Sequence, residues 1–293
     1  FPFGGSGAIL SPSSAVLWSL LDGLLGPAAA STWTSVAMLY ATLGAVAWLA
    51  SGLGIGRFGV SAAVLAFLAS RYFVYTLGET GVVGVAAIPM FVGLGALARS
   101  GRGWLLLAAL CTGLQGLENP YLAPVLPLAM LLLLPSGRDR RGLAGALVLG
   151  VLLLAAAGMM HKGASASGYE SLKPTGFSSI AGLFFPVVER EWARISLEGM
   201  LMPGRVIWPQ GGSDSIHMAG RGYVSMAALL LALAALVLRR RAAVLWLLLA
   251  LLGAALASGS DWGGSTSLFG LFNSLCERLL RPLTQPSRYM LLC

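Results

Sequence analysis

The chain has 293 residues, 57% of them hydrophobic and only 10% charged, whereas a soluble domain carries about 25% charged residues. This composition leaves too little polar surface to cover a fold in water. The formal charge of +8 does not indicate a nucleic-acid face, because nine of the nineteen basic residues (Arg57, Arg99, Arg102, Arg138, Arg140, Arg141, Arg239, Arg240 and Arg241) sit in short turns between apolar runs. That is the positive-inside pattern of membrane proteins, so the expectation is an all-α, polytopic transmembrane helix bundle with no nucleic-acid partner.

Taken in chain order, residues 1–32 form an outer loop. Within it Ser13–Leu25, apolar and containing Trp18, is expected to lie as a helix in the membrane interface. Crossing roughly 30 Å of hydrocarbon at 1.5 Å per residue takes about 20 apolar residues. Seven such runs fall near 33–54, 59–77, 81–98, 103–117, 120–134, 142–160 and 222–238. An eighth covers 242–257 and a ninth opens near 288. The stretch 103–134 is too long for one simple span and short for two. Glu118-Asn119-Pro120 breaks it, and two spans keep Arg102 and Arg138 at the same end, as the charge bias requires.

With that division the turns at 55–58, 99–102, 135–141 and 239–241 all face the cytoplasm. Every acidic residue except Asp139 then falls outside: Asp22, Glu79, Glu118, Glu170, Glu189, Glu191, Glu198, Asp214, Asp261 and Glu277. The long loops 161–221 and 258–287 are outside too. The reading is one transmembrane domain over 1–293, acting at the extracytoplasmic face, and the Ala/Leu/Gly-rich style fits a bacterial inner membrane. The chain opens on Phe1 and closes in an apolar run, which is expected of an internal stretch of a longer protein. Cys111, Cys276 and Cys293 have no metal-ligand or disulfide spacing and read as small hydrophobes.

The residues able to carry chemistry sit mostly at the outer ends of spans. Glu118-Asn119-Pro120-Tyr121 brings a carboxylate, an amide and a phenol to a Pro-fixed corner. It is either a ligand contact or a polar helix cap and turn. Glu79 is the one charge of another tight outer turn. It is a second candidate acid/base or hard-metal ligand, or else a solvated turn residue. Arg71 lies inside a span, where a guanidinium pairs within the bundle or meets a phosphate. Arg278, Arg281 and Arg288 cluster outside against the usual bias, which suits a lipid phosphate. His161 and His217 have no zinc spacing, and Asp214 and Asp261 sit in Gly/Ser turns.

Three segments resemble the GT-C superfamily of multi-span glycosyltransferases, including its YfhO-like bacterial branch. They are Pro2-Phe-Gly-Gly with Ser11-Pro-Ser-Ser, Trp18-Ser-Leu-Leu and Gly26-Pro-Ala-Ala; Gln115-Gly-Leu-Glu-Asn-Pro-Tyr121; and Arg281-Pro-Leu-Thr-Gln-Pro-Ser-Arg-Tyr289. The resemblance implies transfer of a sugar from a polyprenyl-phosphate carrier to a lipid, glycan or protein acceptor at the outer face. Glu118 and Glu79 would be the catalytic carboxylates. Asn119, Tyr121, Arg71, Arg281 and Arg288 would bind substrate, with arginine or a divalent metal ion holding the departing phosphate. The family's early first-loop carboxylate has no counterpart, since residues 1–14 hold no acid. The base that the family places there is then either upstream of Phe1 or absent, which leaves Glu118 and Glu79 as the visible carboxylates. The alternatives are a transporter or flippase for a lipid-linked or anionic substrate, or a non-catalytic membrane assembly protein.

Overall fold

The computed structural model describes residues 12–70, 87–99, 101–119, 122–136, 139–165 and 240–257. Among them there are helices and turns and no strand. The order is α1 (Pro12–Leu25), α2 (Pro27–Gly52), α3 (Arg57–Leu68), α4 (Ile88–Ala98), α5 (Arg102–Glu118), α6 (Val125–Leu133, extended by a 3-10 turn to Ser136), α7 (Arg140–Ser165) and α8 (Arg240–Ala257). The chain divides into two compact units, Phe1–Ala69 with Thr76–Ser171, and Ser70–Tyr75 with Leu172–Cys293. Helices α1 to α7 belong to the first and α8 to the second.

Two described helices, Pro27–Gly52 and Arg140–Met160, are long and apolar enough to cross a membrane. At 26 residues α2 is about 39 Å long. It begins at Pro27, not near 33, so residues 27–32 belong to the helix and not to an outer loop. The reason is local: Gly26 at φ 79° reverses the chain, and Pro27 at the first helical position needs no amide partner. Helix α1 packs along α2 through this turn, and Trp18 Nε1 donates to Ser31 Oγ at 3.3 Å.

The break expected between residues 103 and 134 is present, with one boundary shifted. Helix α5 ends at Glu118, and α6 starts at Val125, not near 120. Pro124 occupies the N-cap of α6, and residues 122–124 form a turn tied by Leu122 N–H to Asn119 O at 3.1 Å. The chain then returns to the end it left, because Arg102 at the start of α5 pairs with Asp139 just before α7 at 3.5 Å. Likewise Arg99 reaches Ser51 at the end of α2. The end of α2, the end of α4, the start of α5 and the start of α7 therefore lie together, as the charge pattern predicts for the basic turns that adjoin them. The span expected over 59–77 is cut short, since α3 stops at Leu68 with Ala69 as its C-cap, and the helix expected to start near 81 starts at Ile88. Residues 71–77, 81–86 and 222–238 lie outside the described residues, as does the run near 288.

The core is built on glycine. A Cβ on Gly113 would sit 2.8 Å from Leu153 Cβ, and one on Gly116 would sit 2.9 Å from Leu154 Cδ1 and 3.0 Å from Ala157 Cβ. From the other side, a Cβ on Gly150 would sit 3.2 Å from Thr112 Oγ1. The seam between α5 and α7 is thus a reciprocal small-residue interface, the means by which helices approach closely when no water drives them together. Buried Cys111 belongs to the same core, with the Cβ position of Gly93 3.1 Å away. Gly116→Leu is expected to part the two helices and cost about 1–3 kcal/mol. A lower temperature of aggregation for the detergent-purified chain would register it.

Large apolar side chains also face outward on the described helices. Leu106, Leu110 and Leu114 line an exposed face of α5, Val148, Leu152 and Met159 one of α7, and Phe58 is 95% exposed. On α8, Leu249 and Leu256 are buried, whereas Val244, Leu248 and Leu251 are exposed.

Candidate functional site

The last turn of α5 carries two side chains that close the starts of two other helices. Gln115 is fully buried. Its Oε1 accepts the Met90 N–H at 2.9 Å, and its Nε2 donates to Asn119 O at 3.3 Å. Met90 is the third residue of α4, and Pro89 before it has no N–H, so Gln115 supplies an acceptor that the first turn of α4 lacks within itself. Glu118, three residues on, is half-buried. Its Oε1 accepts the Ser13 N–H at 2.9 Å, at the second residue of α1. A carboxylate at a helix N-terminus also meets the positive end of the helix dipole.

The other Glu118 oxygen differs. Oε2 is out of contact with solvent and has no hydrogen-bond donor among the described residues. Asn119, 2% exposed, follows directly and joins this corner through its backbone. The corner thus holds a desolvated carboxylate oxygen, fixed in place because its twin is engaged. A single hard oxygen falls short of the several that a divalent cation takes. Among the described residues no three His, Cys, Asp or Glu side chains come together.

At the opposite end Arg99 is held from several directions. Nη1 donates to Gly95 O at 2.6 Å, and Nη2 donates to Trp48 O at 3.2 Å and Ser51 Oγ at 2.8 Å. Its guanidinium carbon lies 3.7 Å from the Trp48 ring centroid and 5.6 Å from that of Trp104. These bonds satisfy carbonyls near the ends of α2 and α4, where a cation also suits the helix dipole. Gly52 leaves room for it, since a Cβ there would fall 2.5 Å from Arg99 Nη1, and Gly95 leaves room for the Trp48 ring, whose Cδ1 would lie 2.5 Å from a Cβ.

Asp139 caps α7 beside this region. Its Oδ1 accepts the Gly142 N–H at 2.9 Å. That bond, and then the charges of Arg102 and Arg141, hold its carboxyl below the usual aspartate range. A lowered folded value stabilises the fold above the ordinary aspartate pKa of about 3.9, and the contribution is lost as pH falls through the folded value. Acidification from pH 7 to pH 3 is therefore expected to lower heat resistance more in the wild type than in Asp139→Asn. The asparagine keeps the cap acceptor and has no proton to take up.

Among the residues singled out from sequence, Glu118 and Asn119 meet at one corner. Glu79, Tyr121, Arg71, Arg281 and Arg288 lie outside the described residues, as do His217, Asp214 and Asp261. Gln115 and Arg99 are the structural residues to which the sequence assigned no role. Gln115 was visible as an amide in an otherwise apolar helix, and Arg99 as a basic turn residue. No family model, no curated protein and no solved structure matches this chain.

Proposed function

We propose that the chain is the membrane-embedded part of a multi-span protein that transfers a sugar from a polyprenyl-phosphate carrier at the extracytoplasmic face of a bacterial inner membrane. Support for the membrane placement comes from the apolar exterior of α5 and α7 and from two helices of spanning length. An exposed apolar surface of that kind suits lipid and not water. The gathering of basic turns at one end supports placing that end in the cytoplasm and Glu118 at the other.

The observation that carries the transfer reading is Glu118 Oε2, desolvated and without a donor among the described residues. In this reading it accepts the proton of an acceptor hydroxyl. The hydroxyl oxygen bonds to the anomeric carbon as the bond from that carbon to the carrier's phosphate breaks. The phosphate leaves with the electron pair, and a cation balances its charge, the role that the resemblance gives to Arg281 and Arg288. The resemblance likewise implies parts for Glu79, Asn119, Tyr121 and Arg71, of which Asn119 adjoins Glu118 at this corner.

One observation favours a second reading, a non-catalytic assembly protein. Glu118 Oε1 caps α1, which gives the residue a structural task without any chemistry. The test is sugar transfer by the reconstituted full chain from a radiolabelled polyprenyl-phosphate sugar, with Glu118→Gln as comparison. Transfer that Glu118→Gln abolishes supports the first reading. Equal transfer by both sinks the Glu118 assignment, and no transfer by the wild type favours the second reading.

A further inference from the structure

A groove of about 200 Å³ lies where α5 and α7 begin, at the basic end of the unit. Leu105, Leu106, Ala146 and Leu149 make its walls, and Arg102 stands at its edge. The space is smaller than the roughly 300–1,000 Å³ of a site for a drug-sized ligand. Gly145 helps to open it, since a Cβ there would meet nothing within 4 Å.

The charge beside the groove is positive. The Arg102 side chain is 90% exposed, and Arg140 and Arg141 are exposed at the first two residues of α7. Arg102 and Arg141 both act on Asp139, whose carboxylate also accepts from Gly142. Among the described residues here, Arg102 at the groove and Arg140 and Arg141 at the start of α7 stand against the single carboxylate of Asp139. A slot with apolar walls and guanidinium groups at one end complements a molecule with a hydrocarbon chain and an anionic head.

We infer that this groove binds one acyl chain of an anionic phospholipid, whose headgroup phosphate is held by Arg102 and Arg141. The site rests on the membrane placement proposed above and is independent of sugar transfer. Guanidinium suits phosphate because its donors match two oxygens at once. The lipid chain enters from the side, past the exposed Leu106. Asp139 opposes the headgroup, so Asp139→Asn tightens binding.

The test uses the full chain. Membranes washed with alkaline carbonate first establish whether it is embedded. The detergent-purified chain is then titrated with phosphatidylglycerol, phosphatidylcholine of the same acyl chains, or inorganic phosphate, and bound lipid is read by native mass spectrometry. Retention of phosphatidylglycerol over phosphatidylcholine is expected, weakened about fivefold for each of Arg102→Ala and Arg141→Ala. Gly145→Leu fills the groove and is expected to release the lipid with both arginines intact. Leu106→Trp does the same by a different route, should Gly145→Leu not accumulate. Equal retention of the two lipids overturns the site, as does undiminished binding by both groove-filling variants. Displacement of the lipid by equimolar inorganic phosphate leaves a bare anion site and also overturns it. Release of the chain by carbonate overturns the membrane placement and the site together.

Discussion

Replacing Glu118 by Gln is expected to lower sugar transfer about 10²–10⁴-fold, the range typical of a lost general base, while the chain keeps its membrane level and heat resistance. The two oxygens of Glu118 make this a clean experiment. Oε1 accepts the Ser13 N–H at 2.9 Å and Oε2 has no donor among the described residues. The amide oxygen of glutamine can take over the first task. It cannot take over the second, because an amide is not a base. Glu118→Ala removes both, and loss of the cap costs about 0.5–2 kcal/mol.

The three proteins therefore separate the two roles. If Glu118 serves chemistry, Gln and Ala are equally inactive, and Ala alone is less stable. If Glu118 serves only to hold α1, activity follows stability: Gln resembles the wild type and Ala falls below it. A cap worth at most about 2 kcal/mol cannot imitate a 10⁴-fold loss in a protein that stays folded. Transfer rate and heat resistance, measured on the same preparations, decide between these outcomes.

Much of the helical layout was legible because hydropathy and turn chemistry agree. Helix α5 runs Arg102–Glu118 where hydropathy and the Glu118-Asn119-Pro120 break place a span over 103–117. The pairing of Arg102 with Asp139 follows from the same charge bias that argued for a break. Two of the misjudged edges, the starts of α2 and α6, have a common cause. Hydropathy weighs side chains, whereas Pro27 after Gly26 and Pro124 before Val125 set helix starts through the backbone.

The site was legible to a smaller degree. Glu118 and Asn119 stood out as polar residues at a span end, and a helix cap was one of the two readings open for them. What the sequence could not give was whose helix is capped. Ser13 and Glu118 are 105 positions apart, and Met90 and Gln115 are 25 apart. Those pairings exist because packing brings helix ends level, which no local pattern encodes. Arg99 shows the same limit. Its partners Trp48 and Ser51 belong to a helix that ends 47 residues earlier, at Gly52.

Gln115→Leu is expected to be the most destabilising single change at this corner, by about 1–3 kcal/mol, the cost of a buried hydrogen-bonding group left without its partner. The substitution preserves bulk, so it leaves no large cavity. It strips the Met90 N–H of the acceptor it has at 2.9 Å, in a place where Gln115 is 0% exposed. Asn119 O suffers less, because Leu122 N–H still donates to it at 3.1 Å. The loss is therefore concentrated at the start of α4, and the α4 core residues Phe91 and Leu94 are expected to lose protection against hydrogen exchange before α7 does. Gln115→Glu gives the complementary result. Its carboxylate can accept from Met90, but its second oxygen faces Asn119 O across the 3.3 Å that an N–H now bridges. Two acceptors repel unless one carries a proton. Uptake of a proton turns one of the two acceptors into a donor and restores the bond. Heat resistance of Gln115→Glu should thus rise as pH falls from 8 to 5, while that of Gln115→Leu stays flat. A pH-independent deficit in both variants would show that the corner depends on the shape of Gln115 and not on its hydrogen bonds.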